Sequence, residues 1–364
     1  MKFECKGGAL VTAVLQVAKA RSKASSQNYL QDIHLTLDTH QLSLRATNLE
    51  IFCEKSISVK GIQNGACILQ GETLVRIIPF LQKNDTVFSC ELNEGVFSIT
   101  SEKEVIEIKV TPYEDFPTLP PQGEALGKIP KDVLSSLLKE VSFCAATTEI
   151  KPEISSVYLY TKDENLVSVA TDSYRLAEKT VAMPKGLSLN VLIPQKHIAD
   201  ILYIIGEEEG DLEISLYESI LTLSTGSNLT LCIHTVTGQF PDYRQLFPKE
   251  FTTVATLSKE DLQKSLTLTT YFTEQYSQVK CILTDKSLTL HSKNEAVGQV
   301  TNSVSITKSG EDIEVSYNNR YFLDVLSHIV GSTLVCSFTT PQRPVFIQSK
   351  EDISFTYLLM PLNR

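Results

Sequence analysis

The chain repeats itself three times at a spacing of about 124 residues, and this repetition constrains its architecture more than any other feature. The segment Leu42-Ser43-Leu44-Arg45-Ala46-Thr47-Asn48 returns as Leu166-Val167-Ser168-Val169-Ala170-Thr171-Asp172, and again as Leu288-Thr289-Leu290-His291-Ser292-Lys293-Asn294. Thr47 and Thr171 are 124 residues apart, and Asp172 and Asn294 are 122 apart. Ile99-Thr100-Ser101, Leu223-Ser224-Thr225 and Ile347-Gln348-Ser349 keep steps of 124, as do Phe116-Pro117 and Phe240-Pro241. One register held across three kinds of segment marks a repeated structural unit. The period is that of a whole domain, not a solenoid turn, which sets aside most folds built around one catalytic site.

A length of 364 residues divides into thirds of about 121, each long enough to bury its own core. Domains are expected at 1–118, 128–248 and 249–364, with Thr118-Leu119-Pro120-Pro121-Gln122-Gly123 as a linker and a second break after Phe247-Pro248-Lys249. A composition 42% hydrophobic and 21% charged is that of an ordinary globular protein. No apolar run approaches the roughly 20 residues of a membrane span. The start, Met1-Lys2-Phe3-Glu4-Cys5-Lys6, alternates like a strand and lacks the apolar core of a signal peptide, so a cytoplasmic location is expected.

The eight cysteines contain no Cys-x-x-Cys pair, and the six histidines form no metal-ligand spacing with them. They read as buried free thiols, with no metal and no cofactor. Net charge is −10, yet a basic lining inside an acidic shell has the same total, so a polyanionic partner is not excluded. The run Glu207-Glu208-Glu209-Gly210-Asp211 reads as a solvated turn after a helix.

Each third carries two helical stretches among many short strands. The first helices are expected over 8–22, 131–145 and 259–272, where Leu134, Leu137, Leu138 and Val141 recur at helical spacing. Ser258 with Asp261 three residues on reads as an N-terminal cap. The second helices are expected over 72–83, 195–205 and 319–330, with Pro79 shortening or kinking the first of these. The rest alternates with period two, as in Val105-Ile106-Glu107-Ile108-Lys109-Val110. The expected fold class is α+β, three units each of an antiparallel sheet with two helices.

Three such units, Ala-Thr-Asp-x-x-Arg-Leu-Ala at 170–177, Phe-Pro-Asp-Tyr-Arg at 240–244 and Tyr-Leu-Leu-Met-Pro-Leu at 357–362 resemble the bacterial DNA polymerase III sliding clamp (beta subunit) family over the whole chain. The resemblance implies a head-to-tail homodimer closed into a ring of six domains around duplex DNA, without catalytic activity. It further implies tethering of the DNA polymerase III catalytic subunit, a clamp loader, and other polymerases and repair proteins through short linear motifs, with no membrane partner. Ile106 and Ile108 fall on the strand that would meet the third domain of the other copy. The partner cleft would be formed by Ile154, Thr171, Ser173, Tyr174, Arg175, Leu176, Pro241, Gln245, Leu246, Tyr276, Asn318, Tyr321, Pro344, Leu358, Leu359, Met360, Pro361 and Leu362. The chain departs from the family pattern at Ser173-Tyr174, where Gly-His is frequent, at Ser155-Ser156 for Asn-Gly, and at Gln245 for a second arginine.

A sliding contact holds phosphates without reading bases. A helix of about 12 residues is roughly 18 Å long, more than the roughly 12 Å width of the major groove. Laid across the groove, it meets backbone alone, giving sequence-independent and salt-dependent attraction. Lys19, Arg21, Lys23, Arg76, Lys83, Lys139, Lys196 and Lys264 are the candidates on or beside the helices, with Lys131, Lys259 and Arg320 near them. Lys19-Ala20-Arg21-Ser22-Lys23 has no acid nearby. The segment Thr171 to Leu176 packs an acid, hydroxyls and a base, but reads from the residues as a tight turn between strands. No phosphate loop, dinucleotide fingerprint, nucleophile elbow or zinc-protease motif is present. A scaffold that binds partners but not DNA, and an enzyme with a domain-interface site, are the alternatives.

Overall fold

The computed structural model describes residues 1–364 apart from 26, 82–85, 113–115, 149, 184–185, 227, 275 and 363–364. Six α-helices occur among the described residues: α1 (Gly7–Val17), α2 (Gly71–Ile77), α3 (Lys131–Val141), α4 (Gln195–Gly206), α5 (Lys259–Thr270) and α6 (Asn319–Leu326). Each repeat runs strand, helix, four strands, helix, three strands, and the first inserts one further strand, Lys60–Gln63. The second helices begin at Gly71, Gln195 and Asn319, steps of 124.

Every helix but α4 is shorter than the stretch expected for it. Those of the first repeat give way to 3-10 turns at Ala18–Ala20 and Ile78–Leu81, and α3 does so at Ser142–Cys144. Pro79 falls in the second of these turns. It cannot donate to an i−4 carbonyl, so the α-helix ends at Ile77. The N-cap signal at Ser258 is realised, its Oγ accepting from the Asp261 backbone N–H at 3.3 Å. One stripe of each first helix is sealed: Leu10, Leu134 and Leu262 are at most 2% exposed. Each such burial contributes about 1.5–3 kcal/mol.

All strand pairs are antiparallel, in sheets of five, eight and twelve strands. The sheets do not follow the repeat boundaries. The second repeat places Glu124–Pro130, Asp211–Tyr217, Ile220–Thr225 and Leu229–His234 in the eight-stranded sheet, and Ser156–Lys162, Asn165–Thr171, Arg175–Ala182 and Asn190–Pro194 in the twelve-stranded one. The chain accordingly divides into two compact units, Met1–Ser135 with Gly186–Ser188 and Lys196–Val236, and Ser136–Lys185 with Leu189–Gln195 and Thr237–Arg364.

Within each unit the same joint recurs. In the first, strand Ile51–Ser58 pairs with Leu229–His234, placing Ile51 opposite Ile233. In the second, strand Arg175–Ala182 pairs with Phe355–Leu359, placing Arg175 opposite Leu359. Strand Val105–Lys109 ends the five-stranded sheet with one edge open, and Val105 on it is 65% exposed.

All eight cysteines are free and buried, and burial pushes the thiols of Cys67 and Cys336 up to about 12. The acidic run after α4 is not wholly solvated. Glu208 is 6% exposed and accepts from Gln16 Nε2 at 2.7 Å, Lys55 Nζ at 2.5 Å and Thr225 Oγ1 at 3.1 Å. A charged side chain tolerates such burial only when paired in this way.

Candidate functional site

The local device that shapes the site occurs three times. Asn48 Oδ1 accepts from the backbone N–H groups of Glu50 and Ile51, Asp172 Oδ1 from those of Tyr174 and Arg175, and Asn294 Oδ1 from those of Ala296 and Val297. This is the turn in which a short polar side chain replaces the next backbone acceptor. Ser173 takes φ 77° inside it, a left-handed conformation that favours glycine.

In the second unit that turn forms one wall of a hollow of about 220 Å³ lined by Ile154, Thr171, Ser173, Arg175, Leu176, Pro241, Asp242, Tyr243, Leu246, Leu358 and Met360. These residues converge from four places. Leu176, the second residue of strand Arg175–Ala182, lies opposite Leu358 of the last strand. Leu246 closes the short 3-10 turn Tyr243–Leu246. The Met360 backbone N–H donates to the Tyr174 carbonyl at 2.9 Å. Ile154 ends a turn in which its own backbone N–H donates to the Lys151 carbonyl at 3.2 Å.

The packing around the lining residue Tyr243 is aromatic and polar at once. Tyr158 stacks on Phe240 with centroids 5.1 Å apart, and Tyr243 meets Phe240 and Phe247 edge-on at 6.1 Å each. The Tyr243 hydroxyl donates to Glu178 and lies 2.7 Å from that of Tyr160, while Arg244 Nη2 is 3.0 Å from the Glu178 carboxylate. Burial first, then the Glu178 charge, pushes the Tyr243 phenol well up, so it is a neutral donor.

Arg175 lines the hollow, but its guanidinium is engaged. It holds Asp172 at 3.0 Å and Asp324 at 2.5 Å, and lies over the Tyr321 ring at 4.3 Å. Its head is a pin, and its stem is the wall. Of the residues named for the partner cleft, Thr171, Ser173, Leu176, Pro241, Leu246, Leu358, Met360 and Ile154 line this hollow. Several expected residues do not. Leu359 is fully buried, Asn318 caps α6 through the N–H groups of Arg320 and Tyr321, and Gln245 donates to Asp242 at 2.8 Å. Tyr174 and Tyr276 are exposed, and Tyr321, Pro344, Pro361 and Leu362 lie outside the lining. Asp242 and Tyr243 do line it and were missed. Their place inside Phe-Pro-Asp-Tyr-Arg was the only signal.

Three of the eight basic candidates are paired with acids. Arg76 pairs with Glu72 at 2.6 Å, Lys196 with Glu50 at 2.8 Å, and Lys264 with Glu260 at 2.5 Å. Lys19 lies over the Tyr203 ring at 4.4 Å, Arg21 is half-buried, and Lys23 and Lys139 are exposed. Lys83 lies outside the described residues. Of the two edge isoleucines, Ile108 is 5% exposed and faces its own core, because alternate residues of a strand point to opposite sides. Among the described residues no cluster of ligating side chains could hold a metal, and no helix is long and apolar enough to cross a membrane.

Three family descriptions match in succession: the DNA polymerase III beta subunit N-terminal domain over residues 1–120, its central domain over 128–242 and its C-terminal domain over 244–363. The Beta sliding clamp of Bacillus subtilis is 24% identical, covering 100% of this chain and 99% of the relative. The fold matches a DNA polymerase III beta subunit structure from Thermotoga maritima at a TM-score of 0.94 and 21% identity, covering 100% and 99% of the two chains. A Pseudomonas aeruginosa sliding clamp solved with bound griselimycin matches at 0.92 and 22% identity, covering 100% of both.

Proposed function

This chain belongs to the DNA polymerase III beta subunit family, and on that premise we propose that it is a processivity factor: two copies join head to tail into a ring that encircles duplex DNA and tethers the replicative polymerase. It is a non-catalytic accessory subunit acting in the cytoplasm on replicating DNA. One observation carries this reading. The joint between repeats is made twice inside the chain, Ile51 opposite Ile233 and Arg175 opposite Leu359, and its two halves recur unused at the open edge of Val105–Lys109 and at the start of Gly298–Gly310. Val105 and Val297, on those two edges, are 65% and 64% exposed. Exposed strand edges seek a partner, and a heterologous contact closes into a ring when its rotation allows.

The shared turn fixes the register of the joint between copies. Val297 takes the place of Ile51 and Arg175, so it falls opposite Ile108 of the second copy, and Gln299 falls opposite Ile106. DNA contact would be topological. Three of the eight candidate cations are already paired with acids and the net charge is −10, so few counterions are released and direct affinity is low at physiological salt. Lys23 and Lys139 remain the best exposed contributors.

The hollow around Leu176 and Met360 is proposed to take short linear motifs of polymerases, the clamp loader and repair proteins, through one or two apolar anchors. The whole reading is tested by loading the protein onto closed-circular DNA and then cutting the circle. Retention on the circle with prompt loss on cutting is expected; equal retention on both forms would sink the ring.

A further inference from the structure

A second hollow, of about 470 Å³, lies wholly within the first unit and has more than twice the volume of the partner hollow. Leu35, Leu42 and Leu44 on its strands are buried in the core, so His34 and Arg45, which alternate with them, stand on the opposite face of the sheet. Strand pairing sets Ile68, His34, Arg45 and Glu54 side by side in one row across four strands. Ala66, Val110 and Phe116 line the hollow with the first three of these. The Phe116 ring lies on that of His34 with centroids 5.3 Å apart.

The second repeat shows why the space is there. Its matching row is Leu192, Tyr158, Val169 and Glu178, and Phe240 stacks on Tyr158 at 5.1 Å as Phe116 does on His34. Beside that stack stand further phenol rings: Tyr160 lies on Tyr158 at 4.6 Å, and its hydroxyl is 2.7 Å from that of Tyr243. The residues 124 positions earlier are Thr36 and Leu119, and Arg45 stands where Val169 does. The first repeat keeps the stacked pair, loses two phenols and gains a cation.

Two groups in this hollow are left short of partners. His34 Nδ1 is buried and, among the described residues, has no hydrogen-bond partner, a state that native proteins rarely leave without a reason. Arg45 donates from Nε to Glu54, and among the described residues its terminal N–H groups meet no acceptor. Glu54 stands beyond Arg45 in the row and does not line the hollow. Burial, and then the Arg45 charge, holds the His34 pKa below its usual value, so a neutral ring sits in a positive field.

We propose that this hollow binds a small carboxylate with an apolar body, the carboxylate accepting from Arg45 and His34 while the body rests on Phe116, Ile68 and Val110. A guanidinium presents parallel N–H groups that match a planar carboxylate, and imidazole in its Nδ1–H form adds a further donor. One cation among apolar walls suits a single negative charge, since a more highly charged ion would lose its hydration without compensation. The volume is that of sites for small organic ligands. A free acid and the C-terminus of a peptide with an apolar last side chain share this chemistry.

The test follows the His34 ring by NMR in the full chain labelled at histidine. The probes are 3-phenylpropionate, its neutral amide, and acetyl-Ala-Ala-Phe with a free C-terminus. A saturable shift of His34 by either carboxylate is expected, with the amide at least tenfold weaker. Arg45→Gln should weaken the carboxylate at least tenfold. Ala66→Phe fills the hollow from an exposed strand position and leaves the Arg45–Glu54 pair intact; it should abolish the shift while the protein keeps its native circular dichroism. Binding of the free acid alone, or of the peptide alone, supports the site and identifies the source of its carboxylate. No saturable shift from either, equal affinity for acid and amide, or binding undiminished in Ala66→Phe overturns it.

Discussion

Tyr243 donates its hydroxyl to Glu178, and this bond ties the 3-10 turn beneath the hollow to the strand that forms its wall. The carboxylate is 7% exposed, and its other partner is Arg244 at 3.0 Å. Replacing Tyr243 with phenylalanine leaves a buried carboxylate short of a donor. A loss of about 1–3 kcal/mol is expected for such a group, read as a lower midpoint in denaturant. An unchanged midpoint would mean that water replaces the phenol.

His328 supplies a pH dependence of known sign. Burial lowers its pKa from the ordinary value, with Lys139 and Arg175 adding to the effect against Asp324 and Glu140. Its folded pKa therefore lies below its unfolded pKa of about 6.5. Stability from the neutral ring on Phe143 is fully present above that value and is lost as pH falls through the folded pKa. His34 and His197 are lowered by burial with the same sign. The melting temperature should fall on acidification from about pH 7 to about pH 5, and less steeply in His328→Phe. Identical slopes in the two proteins would remove His328 from the account.

The register between copies is open to direct chemistry. Cysteines placed at Ile106 and Gln299 would face one another across the proposed joint, where opposed Cα atoms lie about 4.5–5.5 Å apart, within disulfide reach. Because all eight native cysteines are buried, background crosslinking should be small. Mild oxidation is expected to yield covalent dimer from the double variant and none from Ile106→Cys alone. Failure of the double variant to crosslink would place the joint elsewhere.

Val297→Lys is the gentler way to break that joint. Lysine at Ile108 would enter the protein's own core, where 5% exposure leaves no room for a solvated charge. Val297 is 64% exposed in the single chain, so its change should yield folded monomers, seen as native circular dichroism with halved mass. A stable dimer would contradict the assigned edge.

The partner hollow can be emptied from one end. Deleting Met360 to Arg364 removes one lining side chain and the Met360–Tyr174 backbone bond. Affinity for a peptide with apolar anchors should drop by well over tenfold, about 1.4 kcal/mol or more, with dimer mass unchanged. Calorimetric titration showing equal affinities would put the partner site on another surface.

Much of this was local enough to be legible in the chain. The strand-turn-strand around Asn48, Asp172 and Asn294, the Ser258 cap and the break at Pro79 each depend on residues within a few positions of one another, and the 124-residue repeat shows as three copies of such local patterns. The motifs that carry Leu176, Pro241 and Met360 pointed to one site through the family resemblance. Asp242 and Tyr243 share that motif with Pro241 but nothing local singled them out, because their place in the lining follows from the direction of a short turn and, for Tyr243, a bond to Glu178.

Sequence alone determined that three alike α+β units exist and which turns and caps begin their elements, since periodicity and side-chain-to-backbone bonds act over one or two turns of chain. Tertiary structure alone decided that the second repeat divides between two sheets, that Glu208 is buried against Lys55, and that Arg175 reaches across to Asp324. Those outcomes are set by strand pairing and ion pairing between segments more than a hundred residues apart, where the energy comes from groups that no local pattern brings together.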